Sequence, residues 1–403
     1  MPHKADIVIV GGGMAGGMLA ASLAEMPLDI VLLDGAPVPQ MPTGQPAARV
    51  SALTETSERL LKAAGVWQMM PANRLQPYDQ MEVRDGDGTG EVHFSAAEAA
   101  ASHLGTLVEN DGVVAALFNF CHAAARIDWR TDSRVADIAR CQQGWQVTLV
   151  DGEIIECRLL VGADGARSMV RSAAGLAATS QDTGHVAIVA TLQTALPHGN
   201  CARQVFLDSG PMALLPLYGG GHQCSLVWSL WPERAQELMA LSAEDFSLAL
   251  TQASQCWLGD AQLVSERLAF PIHDLHAGDY VCEQLALIGD AAHVVHPLAG
   301  QGINLGLLDA AVLAEEISRA IEAGRDWSGL PLLQRYQRRR RGHNAATVAA
   351  MRVFKVLFEQ RSPALRFVRN FGMSLIDRHS ILKGMLAAQA LGRFDDAPQH
   401  GGR

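Results

Sequence analysis

The most constraining feature of this sequence is its opening. A strand-like apolar run, a glycine loop, a helix former and a second apolar run follow one another within the first 34 residues. Asp6-Ile7-Val8-Ile9-Val10 is short, β-branched and almost wholly apolar, which suits a strand buried on both faces. Gly11 to Gly17 follows, then Met18-Leu19-Ala20-Ala21-Ser22-Leu23-Ala24, a good helix former. Asp29-Ile30-Val31-Leu32-Leu33-Asp34 reads as a second buried strand. Such a strand–turn–helix–strand unit begins a parallel α/β sheet. Within the loop, Gly11-Gly12-Gly13-Met14-Ala15-Gly16 fits G-x-G-x-x-G, and Asp34 ends the next strand 23 residues after Gly11. Each residue has a physical task in dinucleotide binding. Gly11 permits the tight turn, Gly13 lets backbone approach a pyrophosphate, and Gly16 lets helix and strand pack closely. The helix N-terminus faces the phosphates, and Asp34 accepts hydrogen bonds from a ribose. The pattern does not by itself separate FAD from NAD.

Bulk properties narrow the class. At one domain per roughly 100–200 residues, 403 residues predict about two or three domains. With 49% hydrophobic and 18% charged residues the chain is globular, not disordered or fibrous. No uninterrupted apolar run is long enough for a membrane-spanning helix. The first residues carry neither a secretory h-region nor an Arg/Ser-rich transit peptide. The seven cysteines (Cys121, Cys141, Cys157, Cys201, Cys224, Cys256, Cys282) form no C-x-x-C pair. No metal site and no disulfide framework are expected, and a reducing, cytoplasmic setting is.

The net charge of -10 is unevenly placed. Residues 335–383 hold 12 Lys/Arg against Glu359 and Asp377, whereas the rest holds 20 basic and 40 acidic residues. An acidic body with a basic tail argues against nucleic acid as a partner. It leaves an anionic membrane surface or an acidic protein as a partner for the tail.

The middle of the chain has a different style. Val186–Leu192, Arg203–Leu207, Ala213–Tyr218 and Cys224–Ser229 are strand-like and separated by Pro/Gly-rich turns, which argues for an antiparallel sheet. The α/β style returns near Leu285-Ala286-Leu287-Ile288. The first domain is therefore discontinuous, with the antiparallel sheet inserted in it. From Leu305 onward the pattern is helical, and Val348, Met351, Phe354, Leu357 and Phe358 form one apolar stripe.

Two further motifs stand out. In Leu160-Val161-Gly162-Ala163-Asp164-Gly165 an apolar strand runs into Asp-Gly, with Arg167 and Arg171 behind; alone this is a common turn. In Leu287-Ile288-Gly289-Asp290-Ala291-Ala292-His293 a strand ends in Gly-Asp. The glycine-rich stretch Pro297-Leu298-Ala299-Gly300-Gln301-Gly302-Ile303-Asn304-Leu305-Gly306 then starts a helix, whose free N–H groups face whatever lies above it.

In this order and at these separations the three motifs resemble the single-component, FAD-containing aromatic hydroxylases, over nearly the whole chain. Within that superfamily the chain looks most like the ubiquinone-biosynthesis hydroxylases, and among them the polyprenylphenol ring hydroxylases. The carriers are Arg49-Val50-Ser51-Ala52-Leu53, Gly65-Val66-Trp67, Val108-Glu109-Asn110, Ala202-Arg203-Gln204-Val205-Phe206, Leu215-Pro216-Leu217, Val227-Trp228-Ser229 and the Pro297–Gly306 stretch.

The resemblance implies a Rossmann-like FAD-binding domain built from 1–75, 100–180 and 275–340, an inserted substrate domain (76–99 and 181–274) and a helical basic C-terminal region (341–403). It implies that Gly11, Gly13, Met14, Ala15, Gly16, Asp34 and Gly35 hold the ADP part of FAD. Arg49 would meet the pyrophosphate and Val135 the adenine. Asp164 would serve both FAD and NADPH or NADH. Gly289 and Asp290 would meet the ribityl chain, and Pro297, Gly300, Gly302, Ile303 and Asn304 would line the flavin ring. The implied reaction is hydroxylation of an electron-rich phenol with O2 through a flavin hydroperoxide, which must be kept dry.

Phe206, Leu215, Leu217 and Trp228 are expected to form the apolar substrate cover, a pattern that plain core packing also satisfies. His293 and His296 are the candidates for a base that deprotonates the phenol. Val294 stands where the family often has Thr, and Phe270-Pro271-Ile272-His273-Asp274-Leu275-His276 lacks the arginine often found there. Both departures bear on the substrate rather than on the flavin. Arg338-Arg339-Arg340-Arg341 reads either as a solvated helix face or, with the apolar stripe, as a surface that docks on the inner face of a membrane or on partner enzymes. A soluble aromatic substrate and a non-catalytic flavin-binding scaffold are the alternative readings.

Overall fold

The computed structural model describes residues 3–86, 90–295 and 301–359. His296, Pro297 and Gly300, and the C-terminal region beyond residue 359, lie outside the described residues. Eight helices appear among them: α1 (Met14–Ser22), α2 (Glu55–Ala63), α3 (Asn110–Ala123), α4 (Met169–Ala173), α5 (Pro232–Ala240), α6 (Ala243–Ala253), α7 (Gln301–Glu322) and α8 (Leu330–Glu359).

The N-terminal strand His3–Val10 lies inside an eight-stranded sheet. It pairs in parallel with Ile30–Leu33 on one side and with Ile154–Gly162 on the other. Ile127–Arg130 extends the first side and Leu285–Leu287 the second, again in parallel. Ile7, Val8, Ile9, Ile30, Leu32, Leu159, Leu160 and Leu285 are almost wholly excluded from solvent, which is why these runs are apolar without alternation. Parallel pairing puts the carboxyl ends of Val10, Leu33, Gly162 and Leu287 on one edge. Every motif identified in the sequence is the loop that leaves one of those ends, so the topology brings distant segments together.

A second, nine-stranded sheet runs from His293–Val294 through Leu268–Ala277, Ala178–Thr194, Gln223–Leu230, Gly210–Leu217, Cys201–Leu207 and Gln80–Asp85 to Glu91–Ser95, with Ala261–Leu263 off that path. It is antiparallel except where Cys201–Leu207 meets Gln80–Asp85 in parallel. A small sheet joins Val50–Leu53, Gly105–Glu109 and Gln76–Tyr78. One face of the nine-stranded sheet is covered by α5 and α6, with Phe246, Leu250 and Leu238 packed onto Trp228, Leu226 and Ile188. The other face meets the α/β body: Thr191 Oγ1 donates to Pro46 O (3.1 Å) and Gln223 Nε2 to Gln45 Oε1 (2.9 Å).

The structure corrects the reading of Arg338–Arg341 as a solvated face for Arg339 and Arg340, while Arg338 and Arg341 are exposed. Arg339 pairs with Glu315 (2.6 Å) and Glu316 (3.0 Å) on α7, Arg340 with Asp309 (2.7 Å) and Arg341 with Asp279 (2.9 Å). Arg335, four residues before Arg339, also pairs with Glu316 (3.0 Å), so that side of α8 faces the acids of α7. Val348 packs with Val295 and Leu305; the side chains from 350 onward lie outside the described ones. Among the described residues no helix is long and apolar enough to cross a membrane.

Candidate functional site

The site begins where Val10 ends. Gly11 has φ +109, and a Cβ on it would sit 2.2 Å from Ala163 O. Both the backbone angle and the space therefore demand glycine. A Cβ on Gly16 would fall 2.0 Å from Gly11 O, so helix and loop touch backbone to backbone. A Cβ on Gly13 would meet nothing within 4 Å. Gly13 is the N-cap of α1, without a side-chain cap. The helix thus opens its first N–H groups onto free space, the arrangement that suits an anion. Met14 is buried beneath the turn. Ala15 meets the neighbouring motif, since a Cβ on Gly289 would come 3.0 Å from its side chain.

Asp34 stands beside this loop. Its Oδ1 accepts from Ala36 N (3.0 Å), and its Oδ2 lies 2.4 Å from where a Gly12 Cβ would be. Gly35 is exposed, with the Arg134 side chain 3.2 Å from its own would-be Cβ, so half-buried Val135 flanks the same end. Arg49 is exposed and enters Val50–Leu53; its carbonyl accepts from Asn110 N (3.2 Å).

Asp164 uses one oxygen to cap α4, accepting from Met169 N (2.7 Å) and Val170 N (3.2 Å). Its other oxygen is buried without a hydrogen-bond partner among the described residues. A buried acceptor of this kind calls for a donor, and a ribose hydroxyl provides one. Asp290 is open to solvent at its own position, yet the protein around the cleft desolvates it enough to raise its pKa, against the opposing pull of His293 and Arg49. Gly302, in the first turn of α7, has nothing within 4 Å of its would-be Cβ, and Ile303 beside it is half-buried. An open cradle at two helix starts and an unpartnered acceptor fit an extended nucleotide such as FAD.

Two expected residues, His293 and Trp228, turn out otherwise, and a third, Asn304, proves to link two helices. The Asn304 side chain is engaged within the protein. Its Oδ1 accepts from Thr54 N (2.9 Å) and Ser57 Oγ (2.7 Å), and its Nδ2 donates to Ala52 O (2.9 Å). It ties the start of α7 to α2 instead. His293 is fully buried, with Nε2 2.5 Å from Asp309 Oδ2, so it cannot take a proton from a substrate. Trp228 pairs with Met212, and both belong to the core beneath α5 and α6. Directly opposed residues share a face, so Trp228 faces away from the cleft. Phe206, Leu215 and Leu217 lie on the cleft side with Thr191 and Gln223, as the register of Pro211, Ser225 and Gln223 shows.

The same register adds residues that the sequence reading missed. Phe270 pairs with Ala187 and Leu268 with Val189 on the cleft face, and both are about two-fifths exposed (40% and 39%). Buried Glu109 also emerges. It holds Arg74 by two hydrogen bonds (2.7 and 2.9 Å) and Ala47 N (2.7 Å), and so fixes the loop that leads to Arg49. Only a nonlocal contact reveals that role.

The profile of a family described as an FAD binding domain matches residues 4–351. The 3-demethoxyubiquinol 3-hydroxylase of Escherichia coli (strain K12) is 35% identical over 388 residues, 96% of this chain and 98% of that one. The ubiquinone hydroxylase UbiL of Rhodospirillum rubrum is 34% identical over 395 residues, 98% of this chain and 91% of its own. Among solved structures, p-nitrophenol 4-monooxygenase PnpA from Pseudomonas putida DLL-E4 aligns with a TM-score of 0.77 at 17% identity, covering 97% of this chain and 98% of that one.

Two predictions separate the roles of these residues. Gly16→Ala should destabilise the flavin-free protein by about 2 kcal/mol or more, because backbone must move. Gly13→Ala should cost the flavin-free protein no more than about 1 kcal/mol, yet weaken FAD binding by about tenfold or more in a fluorescence titration. Wild-type affinity in Gly13→Ala would remove the pyrophosphate from this loop. The second concerns Asp290. A folded-state pKa above the ordinary Asp value means that folding favours the protonated acid. That stability is present below the unfolded pKa and is lost as pH rises through the folded one. Asp290→Asn should therefore raise the melting temperature of the flavin-free protein more at about pH 7 than at about pH 4. An equal gain at both pH values would contradict the raised pKa.

Proposed function

Because this chain belongs to the FAD binding domain family, with ubiquinone-biosynthesis hydroxylases as full-length relatives, we propose that it hydroxylates a polyprenylphenol ring of that pathway with O2 and NADPH or NADH. The observation that carries the reading is one edge of the parallel sheet. There the glycine loop, Asp164 and the Gly289-Asp290 turn lie in contact beneath an apolar sheet face.

FAD, when bound, supplies electron transfer from the nicotinamide and activation of O2. The protein's own residues do the rest. Gly11, Gly13 and the start of α1 receive the pyrophosphate, with Arg49 as its counter-charge. Asp34 takes the adenosine ribose, Asp164 offers its unpartnered oxygen, and Asp290 meets the ribityl hydroxyls. Gly302 and Ile303, at the start of α7, would meet the flavin ring, and the partial positive charge of that helix end would favour negative charge on it. Phe206, Leu215, Leu217, Phe270 and Leu268 exclude water from the reacting ring and offer a path for an isoprenoid chain. With His293 sealed behind α7, that histidine does not serve as the base that ionises the substrate.

The basic C-terminal segment brings the enzyme to an anionic lipid surface. Seven Lys/Arg between Arg352 and Lys383, against Glu359 and Asp377, support this; the arginines paired to α7 do not contribute.

Two measurements test the reading. The holoenzyme should couple NAD(P)H oxidation to addition of one oxygen atom to short-chain prenylphenols, and should release mostly peroxide with phenols that lack the chain. Better coupling with soluble phenols would assign it a soluble aromatic substrate. The full chain should float with vesicles containing phosphatidylglycerol at low salt and be released by salt. Failure to float would end the membrane proposal.

A further inference from the structure

The turn that carries Asp290 is gripped from both sides. Asp309 of α7 has no solvent exposure and accepts four hydrogen bonds. Gly289 N (3.1 Å) and His293 Nε2 (2.5 Å) reach one oxygen. Arg340 Nε (2.7 Å) and Asn344 Nδ2 (3.1 Å) reach the other. Arg340 Nη2 also donates to Asn344 Oδ1 (2.7 Å), which closes the group. On the opposite side of the turn Arg171 Nη1 donates to Ala291 O (2.7 Å).

The arrangement is more than a clamp between helices. A buried charge pair gives no more stability than apolar packing of the same volume would. What four converging donors do accomplish is to fix one carboxylate in one orientation. The carboxylate so fixed receives the N–H of the residue immediately before Asp290. Two of its four donors come from α8, which lies outside the glycine loop and its sheet. Tyr336, also on α8, donates to Leu287 O (2.7 Å) at the end of the strand that leads into the turn.

We propose that Asp309 and Arg340 are positioning residues for the cofactor: through the Gly289 N–H they set the Asp290 carboxylate against the ribityl chain, which makes α8 part of the flavin site. The inference rests on the flavin reading above. It separates Arg340 from its neighbour Arg339, whose described contacts are with Glu315 and Glu316 at the same helix interface.

That difference provides the test. Arg340→Lys keeps the charge opposite Asp309 and loses the fork that also holds Asn344. Asn344→Ala removes one donor only and serves should the first variant fold poorly. Arg339→Gln is the control. Each is prepared as holoenzyme and as flavin-free protein. Circular dichroism gives the melting temperature, fluorescence titration gives FAD affinity, and a dye-linked reduction gives the midpoint potential. Arg340→Lys should bind FAD about tenfold more weakly, the low end of what losing an outer hydrogen-bond partner costs a metal site, with a shifted potential; Asn344→Ala should move both in the same direction by less. Arg339→Gln should lower the melting temperature and leave affinity within about twofold of wild type. If all three variants lose stability alike and keep wild-type affinity and potential, the network is a helix clamp and the proposal falls. A wild-type chain that takes up no flavin would overturn the functional reading itself, a result distinct from equal affinities.

Discussion

Backbone contact without side chains holds this site together. Gly11 and Ala163 touch at a distance that no Cβ could enter, and Gly16 presses on Gly11 from the helix side. Two strand ends and a helix start therefore meet at one point. From that contact the other positions follow. Parallel pairing carries Asp34 to one flank, Asp164 to the other, and the Gly289-Asp290 turn one strand further on. A side chain at Gly11 or Gly16 would part these elements, and the open space above Gly13 would lose its floor.

Asp290 and Asp309 show how the same fold treats two acids differently. Both are penalised by desolvation. Asp309 has His293 and Arg340 against its oxygens, and these outweigh the penalty and hold it well below the ordinary carboxylate range. Asp290 has only the distant influence of His293 and Arg49, and its pKa stays raised. The linkage signs are opposite: Asp309 adds stability above the unfolded pKa that is lost on acidification, whereas Asp290 subtracts stability as it ionises. A carboxylate that costs the empty protein stability is ready to gain from a ligand that brings hydroxyl donors.

The legible part of the fold was its local part. Strand, glycine loop and helix sit within the first 34 residues, and apolar runs without alternation marked the buried strands from composition alone. The inserted sheet was legible from its turn spacing. The facing of its residues was not. Trp228 and Val227 alternate, and which of the two meets the cleft depends on the cover that α5 and α6 place over one side. Nothing within the strand states that parity. His293 fails for a related reason, since its partner Asp309 lies 16 residues away and the cation that completes the network is Arg340 on another helix. Arg339 and Arg340 looked solvated because their acids, Glu315, Glu316 and Asp309, lie on a helix that only the fold brings near.

The cleft face of the nine-stranded sheet makes the substrate argument physical. A ring that must react away from water needs an apolar wall, and the face proposed to cover it carries Leu215, Leu217 and Phe206. A wall for a compact soluble ring could end there. Here the apolar surface continues across the sheet through Val227 and Val189 to Leu268 and Phe270, where it remains exposed to solvent. Exposed apolar residues in a row are costly to a chain with nothing to bury against them. On the proposed reading, a lane from that face outward to Leu268 and Phe270 suits a substrate with a phenolic head and a long isoprenoid tail, because each isoprene unit laid on it removes apolar surface from water on both partners.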